Sequence, residues 1–340
     1  MKPLDPVDLT RRLVDIESVT YNEGAVGVYL DGLLRERGFA VERTGVPQPA
    51  QSRFTSERFN LYAGSGGRPD VVLSTHMDTV PPFIPSSEDD VFLYGRGACD
   101  AKGIIAAQLA AVERLREAGV AAALLFVVGE ERDSAGARLA NLNPKGSRFL
   151  INGEPTDNRL ALASKGALRA EIRAYGTMAH SAYPELGESA VHKLVRALER
   201  LLALELPSVD GVGPSTLNIG LIHGGHAPNV IADSAGAQVL VRLVGPSDQT
   251  RKAIEQAVAG LAEVEFTLEI PFIRMRQVEG LETMVAAFTT DIPALTNWGE
   301  PLLLGPGSIH VAHTPFEKIA KRELLQAVDL YFEVAQRLAG

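Results

Sequence analysis

The 340-residue chain has one cysteine, Cys99, so no internal disulfide can form, and a reducing, cytoplasmic compartment is the natural reading. No apolar run approaches the roughly 20 residues that a membrane-spanning helix needs. The opening, Met1-Lys2-Pro3-Leu4-Asp5, lacks the apolar core of a signal peptide. No basic block or stripe stands out, and a formal net charge of -9 argues against nucleic-acid binding. Short repeats and low-complexity segments are absent too. What remains is a composition of 46% hydrophobic and 22% charged residues, that of a soluble globular protein. The length suits one large domain or two ordinary ones.

Between Asp8 and Arg37 apolar residues recur at helical spacing, with Gly38 as the expected stop. Four short apolar runs follow, at 71–74, 123–128, 148–152 and 301–304. Helices are expected at 103–118 and 134–141. Strands buried on both faces and alternating with helices predict an α/β domain with a mainly parallel sheet flanked by helices. Residues 166–270 differ. "ALRAEIRAYG" alternates strictly, with Leu168, Ala170, Ile172 and Ala174 on one face and Arg169, Glu171 and Arg173 on the other. The order that follows, helix, two strands, helix, strand, predicts an inserted ferredoxin-like α+β domain. The expected boundaries are 1–165 and 271–340 for the larger domain and 166–270 for the insert.

Each buried run of the larger domain ends in groups unusual for a core. "STHMDTV" carries His76 and Asp78; "LLFVVGEE" ends in Glu130 and Glu131; "RFLINGEP" ends in Glu154; "PLLLGPGSIHVAH" reaches His310 and His313. Asp100 lies in the glycine-rich "GRGACDAKG" before a helix. In open α/β sheets the ligand crevice lies beyond the carboxyl ends of the strands, so these groups should converge. So many carboxylates cannot share a dry crevice unpaired, because like charges and desolvation penalise ionisation. Two divalent cations resolve the conflict, and mixed His and carboxylate ligands suit zinc, with cobalt or manganese possible. His76 then reads as a ligand and Asp78 as the group that orients its ring. Each motif alone also has a plain structural reading: Asp100 as a helix cap, Glu130 and Glu131 as a solvated loop, Glu154 as an exposed turn residue.

Taken in order, "STHMDTVPP", "GRGACDAKG", "VVGEE", "NGEPT" and "GPGSIHVAHTPFE" resemble the di-zinc amidohydrolases and metallopeptidases that include acetylornithine deacetylase, succinyl-diaminopimelate desuccinylase, aminoacylases and carnosinase-like dipeptidases. The resemblance spans nearly the whole chain. It implies that His76 and Glu154 complete one zinc site, that Glu131 and His313 complete the other, and that Asp100 bridges them. It implies Glu130 as general base and Asp78 as support for His76. Spacing alone does not separate His310 from His313; the family pattern, a histidine just before a turn with Pro and Glu, selects His313. In the insert, "GTMAHSAYP" implies that His180 stabilises the tetrahedral intermediate, usually in the partner subunit's site. "GGHAPNVIADSAGAQVLVRL" implies that Asn229 and Arg242 bind the substrate carboxylate, an arginine fork suiting that group. His223 and His226 read as loop residues, and His192 as lying on the solvent face of a helix.

The chain departs from the family at Ala101, at Ala232 and in a short segment before the last strand, "VEGLETMVAAFTTDIPALTNWGEP". "GEPT" favours the biosynthetic deacylase branch. The expected activity is hydrolysis of an N-acyl amino acid, with a dipeptidase or carboxypeptidase as the alternative and a catalytically silent binding protein as a more distant one. The expected partners are a small N-acyl amino acid or dipeptide substrate and a second copy bound through the insert, with no nucleic acid or membrane. Cys99 reads as a small buried filler.

Overall fold

Helix α1 (Pro6–Val14) starts where the Asp5 side chain accepts hydrogen bonds from the amides of Val7 and Asp8, with Pro6 in the first turn. The computed structural model describes residues 3–340. Helix α2 (Gly24–Glu36) ends at Gly38, whose φ of 79° turns the chain into β1 (Ala40–Val46) and then β2 (Arg58–Gly64). There follow β3 (Val71–His76), α3 (Lys102–Glu117), β4 (Ala122–Val127), α4 (Ala135–Ala140) and β5 (Phe149–Asn152). Next come β6 (Gly166–Tyr175), α5 (Ala190–Leu202), β7 (Thr216–Gly224), β8 (Ser234–Leu243), α6 (Ser247–Val258) and β9 (Glu263–Ile270). The chain finishes with β10 (Glu300–Leu303) and α7 (Lys321–Ala339). It divides into two compact units, one of residues up to Leu162 with Met275–Met284 and Thr290–Gly340, the other of Ala163–Arg274 with Val285–Thr289. Among the described residues no helix is long and apolar enough to cross a membrane.

In the first unit six strands form one sheet in the order β1-β2-β4-β3-β5-β10. The four from β4 to β10 run parallel, and β1 and β2 are antiparallel additions at one edge. Both faces of the parallel part are covered. Val71, Leu73, Leu124 and Phe126 face Ile104, Ile105 and Leu109 of α3, and α7 adds Leu324, Val328 and Tyr331 to that side. Val72, Leu125 and Leu150 pack on the other face around Trp298, whose indole N–H donates to the Ala140 carbonyl at 3.2 Å. Each buried leucine or phenylalanine is worth about 1.5–3 kcal/mol in removal from water. The sheet is thus α/β and mainly parallel, as the buried runs predict, with an antiparallel pair added at one edge.

The two strands without a sequence expectation have clear reasons for hiding. β1 is an exposed edge carrying Glu42, Arg43 and Thr44. β2 buries polar groups: Arg58 pairs with Glu23 at 3.0 Å with both side chains fully enclosed, and Asn60 donates to the Gly136 carbonyl at 2.7 Å. Neither gives an apolar signature.

The second unit is a four-stranded antiparallel sheet ordered β7-β8-β6-β9, with β-α-β-β-α-β connectivity. Leu168, Ala170 and Ile172 form its dry face against Leu194, Ala197 and Leu201 of α5 and Ile254 and Val258 of α6. On the wet face Arg173 reaches Glu265. This is the ferredoxin-like arrangement.

At the end of β5, Gly153 passes α3 so closely that a Cβ there would lie 2.3 Å from Ile104 Cγ2 and 2.5 Å from Gln108 Nε2. Its amide donates to the Ser74 carbonyl at 2.7 Å, and its carbonyl accepts from Thr75 Oγ1 at 2.9 Å, so the backbone has no room to retreat. Gly153→Ala is therefore expected to lower stability by about 1–3 kcal/mol. Denaturant titration of the two proteins measures this; an unchanged midpoint would rule out the close packing.

Candidate metal centre

His76 is the last residue of β3 and is buried with its ring clamped at both nitrogens. Nδ1 lies 2.9 Å from the Asp78 carbonyl and 3.5 Å from Asp78 Oδ1, and Nε2 lies 3.0 Å from Asp100 Oδ1. Asp78 does more than face this ring. Its Oδ1 accepts the amides of Gly129 and Glu130 at 2.9 and 3.1 Å, and its Oδ2 accepts the Glu131 amide at 3.2 Å and Thr20 Oγ1 at 2.9 Å. One buried carboxylate thus fastens the loop after β4 to the end of β3.

Asp100 is fixed by a second carboxylate. Glu317 Oε1 accepts the amides of Gly97, Cys99 and Asp100 at 2.9, 3.3 and 3.2 Å, while its Oε2 meets Arg96 Nη1 at 2.5 Å. Glu317 and Arg96 are both enclosed. The Glu317 role was not readable beforehand, although the residue closes the "HTPFE" motif. Cys99 fills the space beside it, its Sγ 3.7 Å from Glu317 Oε1, and burial pushes the thiol well above its usual range.

The two oxygens of Asp100 face different histidines. Oδ1 points to His76, and Oδ2 lies 3.3 Å from His313 Nε2. The same His313 nitrogen is 3.0 Å from Glu131 Oε1. Donor atoms fall into two sets, His76, Asp100 and Glu154, and Asp100, Glu131 and His313, each within 4.8 Å of one another. Asp100 belongs to both. His313 reaches its place from a left-handed backbone, φ 64°, a conformation non-glycine residues seldom adopt and that costs on the order of 1 kcal/mol. His310 is exposed and belongs to neither set. Glu130, half-buried, is also outside both sets although it adjoins Glu131.

The electrostatics of this cluster show a shortage of positive charge. Burial, then Glu154, push Glu130 well above the usual carboxylate range; burial does the same to Glu154 and raises Glu131. Burial opposes the charge on Asp100 too, yet hydrogen bonds from His313 and His76 hold its carboxyl below the usual range. His313 is pushed up to about 10 by Asp100 and Glu131. His76 stands well above its usual value, because its bonds to Asp100 and Asp78 overcome the burial penalty. Protons on imidazole and carboxylate are a poor substitute for cations here. Glu154 Oε1 is buried with no hydrogen-bond partner, an orphan acceptor aimed into a set of ligand type. One imidazole with two carboxylates is a donor set that zinc, cobalt or manganese accepts. The residues fit a pair of divalent ions.

Asp291 carries no sequence signal within "VEGLETMVAAFTTDIPALTNWGEP". It is buried beside Ser134, its polar neighbour, and neither carboxylate oxygen has a well-formed hydrogen bond among the described residues.

His180, Asn229 and Arg242 belong to the second unit. Ala179–His180 pairs with Val230–Ile231 as a short ribbon, and the Ser181 amide donates to the Asn229 carbonyl at 3.0 Å, so His180 and Asn229 are neighbours. His180 Nδ1 accepts the Ala182 amide at 3.1 Å, which leaves Nε2 to carry the proton outward. Arg242, half-buried, lies near the far end of β8, eight residues beyond Ser234 or roughly 26 Å of extended chain. One chain does not bring Arg242 and Asn229 together. His226 is paired with Asp233 at 2.9 Å, and His192 is exposed; His223, also exposed, lies not in a loop but in β7, paired with Gly236 of β8.

Two expectations follow. Glu317→Ala removes the acceptor of three loop amides and leaves Arg96 enclosed without its partner, so it should cost about 3–5 kcal/mol in a denaturant titration; a cost below about 1 kcal/mol would remove Glu317 from its anchoring role. Burial raises Asp291 from 3.8 to about 7 in the metal-free protein. A raised carboxyl favours the folded state only below its unfolded value, and that stability is lost as pH climbs from near 4 to 7. Metal-free Asp291→Asn should therefore melt higher than the parent at pH 8, with the gap closing towards pH 4. A gap independent of pH contradicts this.

Comparison with known proteins agrees with this geometry. Residues 162–267 match a family model described as a peptidase dimerisation domain. A probable carboxypeptidase of Paracoccidioides brasiliensis is 38% identical, over 96% of this chain and 83% of that protein. A peptidase M20 domain-containing protein of Schizosaccharomyces pombe is 37% identical, over 96% of this chain and 82% of that protein. Among solved structures, the aminopeptidase PepT of Bacillus cereus superposes with a TM-score of 0.82 at 21% identity, covering 99% of this chain and 98% of its own. The Bacillus subtilis YXEP protein, a dinuclear metal-binding peptidase of the M20 family, does so with a TM-score of 0.68 at 17% identity, covering 98% and 97%. With near-complete coverage at such identity, the chain belongs to the M20 peptidase family and carries that family's dimerisation domain.

Proposed function

We propose that the protein is a di-metal peptidase that hydrolyses the C-terminal bond of short peptides, with zinc as the metal. The observation that carries this reading is Asp100, whose two oxygens serve two ligand sets while Glu130 stands beside them outside either set. The names of the relatives favour peptide substrates over the N-acyl amino acids that "GEPT" suggested: the Paracoccidioides protein is called a probable carboxypeptidase, and a human structural neighbour is a carnosine dipeptidase. Deacylation of an N-acyl amino acid stands as the second reading, carried by that motif around Glu154.

His76, Asp100 and Glu154 would hold one ion, and Asp100, Glu131 and His313 the other. Bound there, the pair supplies Lewis-acid polarisation of the scissile carbonyl and lowers the pKa of the attacking water. Glu130 takes one proton from that water and delivers it to the leaving amine, so water adds across the C–N bond and a free carboxylate and amine result. Asp78 holds Glu130 and Glu131 at this task by binding both amides. His180 donates its Nε2 proton to the developing oxyanion. Asn229 and Arg242 take the substrate carboxylate; their separation within one chain is consistent with a homodimer in which one of them comes from the partner subunit. The single cysteine favours a cytoplasmic setting.

The test is amine release by zinc-loaded protein from dipeptides, N-blocked dipeptides and N-acetyl or N-succinyl amino acids. Peptides should be cleaved, and Glu130→Gln should lose at least about a hundredfold in kcat while binding the same two equivalents of zinc. Exclusive cleavage of N-acyl amino acids would establish the second reading, and loss of zinc in Glu130→Gln would remove the base assignment.

A further inference from the structure

A pocket of about 380 Å³ lies beside the acid cluster, within the first unit, and Thr20, Tyr21, Arg53, Phe54, Pro81 and Arg132 are among its lining residues. It shares a wall with the metal centre. Thr20 Oγ1 donates to Asp78 Oδ2 at 2.9 Å, the Thr20 amide donates to the Thr79 carbonyl at 3.1 Å, and Arg132 directly follows Glu131. Tyr21 is fastened in a left-handed turn, φ 78°, with its carbonyl accepting from Gln48 Nε2 at 2.8 Å.

Arg53 and Arg132 have no acid partner among the described residues, whereas Arg58, behind them, is neutralised by Glu23. The two acids that flank Arg132 in sequence are committed elsewhere: Glu131 Oε1 faces His313 Nε2 at 3.0 Å, and Asp133 Oδ1 accepts the Ala135 amide at 3.1 Å. The Arg53 guanidinium lies over the Phe54 ring at 4.9 Å, a stacking that sets its plane and leaves its donors open. Among the described residues the lining holds these two guanidiniums and no carboxylate, while Asp78 behind Thr20 is already occupied by backbone amides and the Thr20 hydroxyl. An anionic side chain entering this crevice therefore meets positive charge at the two guanidinium forks. Tyr21, Phe54 and Pro81 offer apolar contact for a methylene stem, and the volume falls at the small end of ligand pockets.

We propose that this pocket is a specificity subsite in which Arg53 and Arg132 receive the side-chain carboxylate of an acidic residue of the substrate peptide. The inference rests on the peptidase reading above and adds the class of residue preferred. Each guanidinium presents paired N–H groups that suit a carboxylate and not the neutral amide of the same shape.

The experiment compares Ala-Glu with Ala-Gln and Glu-Ala with Gln-Ala. The zinc-loaded protein should favour the acid over the amide by about tenfold in kcat/KM at one of the two positions. Arg53→Ala/Arg132→Ala should bring that ratio to about one, and Arg53→Lys/Arg132→Lys should restore part of it. No acid preference in the parent, or a preference that survives the double alanine variant, overturns the proposal. If no peptide is cleaved, the peptidase reading fails by itself. Calorimetric titration of zinc-loaded Glu130→Gln protein with the same four dipeptides then decides the subsite: tighter binding of an acid, lost in the added double alanine variant, supports it, and equal binding sinks it.

Discussion

Repulsion among buried carboxylates is the constraint to which the rest of the first unit answers. Asp78, Asp100, Glu131 and Glu154 gather at one end of a sheet with Glu130 beside them, and two imidazoles are too few to neutralise them. Left free, the chain would relieve the conflict by swinging its loops apart. Two carboxylates outside the ligand sets prevent this by accepting backbone amides: Asp78 ties the loop after β4, and Glu317 ties the loop that ends in Asp100. A carboxylate that collects several amide donors is stabilised in its charged form by local dipoles. For Asp78 the donors win over burial and hold the carboxyl below its usual range, whereas at Glu317 burial and then Asp100 outweigh Arg96 and the amides and push the carboxyl up, so this anchor shares in the conflict it restrains.

Rigidity of the scaffold completes the arrangement. Parallel strands buried on both faces cannot tilt without opening voids in a close-packed core. The strand ends therefore hold His76 and Glu154 at fixed spacing, with Gly153 admitting α3 to near contact. The left-handed backbone at His313 stores a modest strain that the surrounding contacts, including the Arg96 bond to its carbonyl, maintain. Asp291, enclosed beside Ser134 without a well-formed hydrogen bond, is costly to ionise there.

The parallel strands and the ferredoxin-like insert were legible because their apolar periods are simple: unbroken runs where both faces are covered, strict alternation where one is wet. β1 and β2 were illegible because an exposed edge strand and a strand that buries Arg58 and Asn60 leave no such trace. Ligand-type residues stood out, since His and acids at strand ends are rare in a core. Glu317 and Asp78 as amide anchors did not, because their partners are backbone groups that every residue has, and a sequence does not say whose amide will face a given carboxylate. The pocket lined by Tyr21, Phe54 and Arg132 was also hidden, because its walls come together from distant segments without any motif.

Glu317 meets the Asp100 amide across 217 positions of sequence, near the last helix of the chain. A nascent polypeptide emerging from the ribosome completes β3, β4 and β5 well before that residue exists, and the long loop between the two partners must close before the clamp can form. Until then the Asp100 segment has no anchor and the acid cluster has no lasting geometry. The acid cluster can therefore take lasting form only after residue 317 has been made, so a chain terminated before it would lack this anchor and would be open to clearance as an unfinished product.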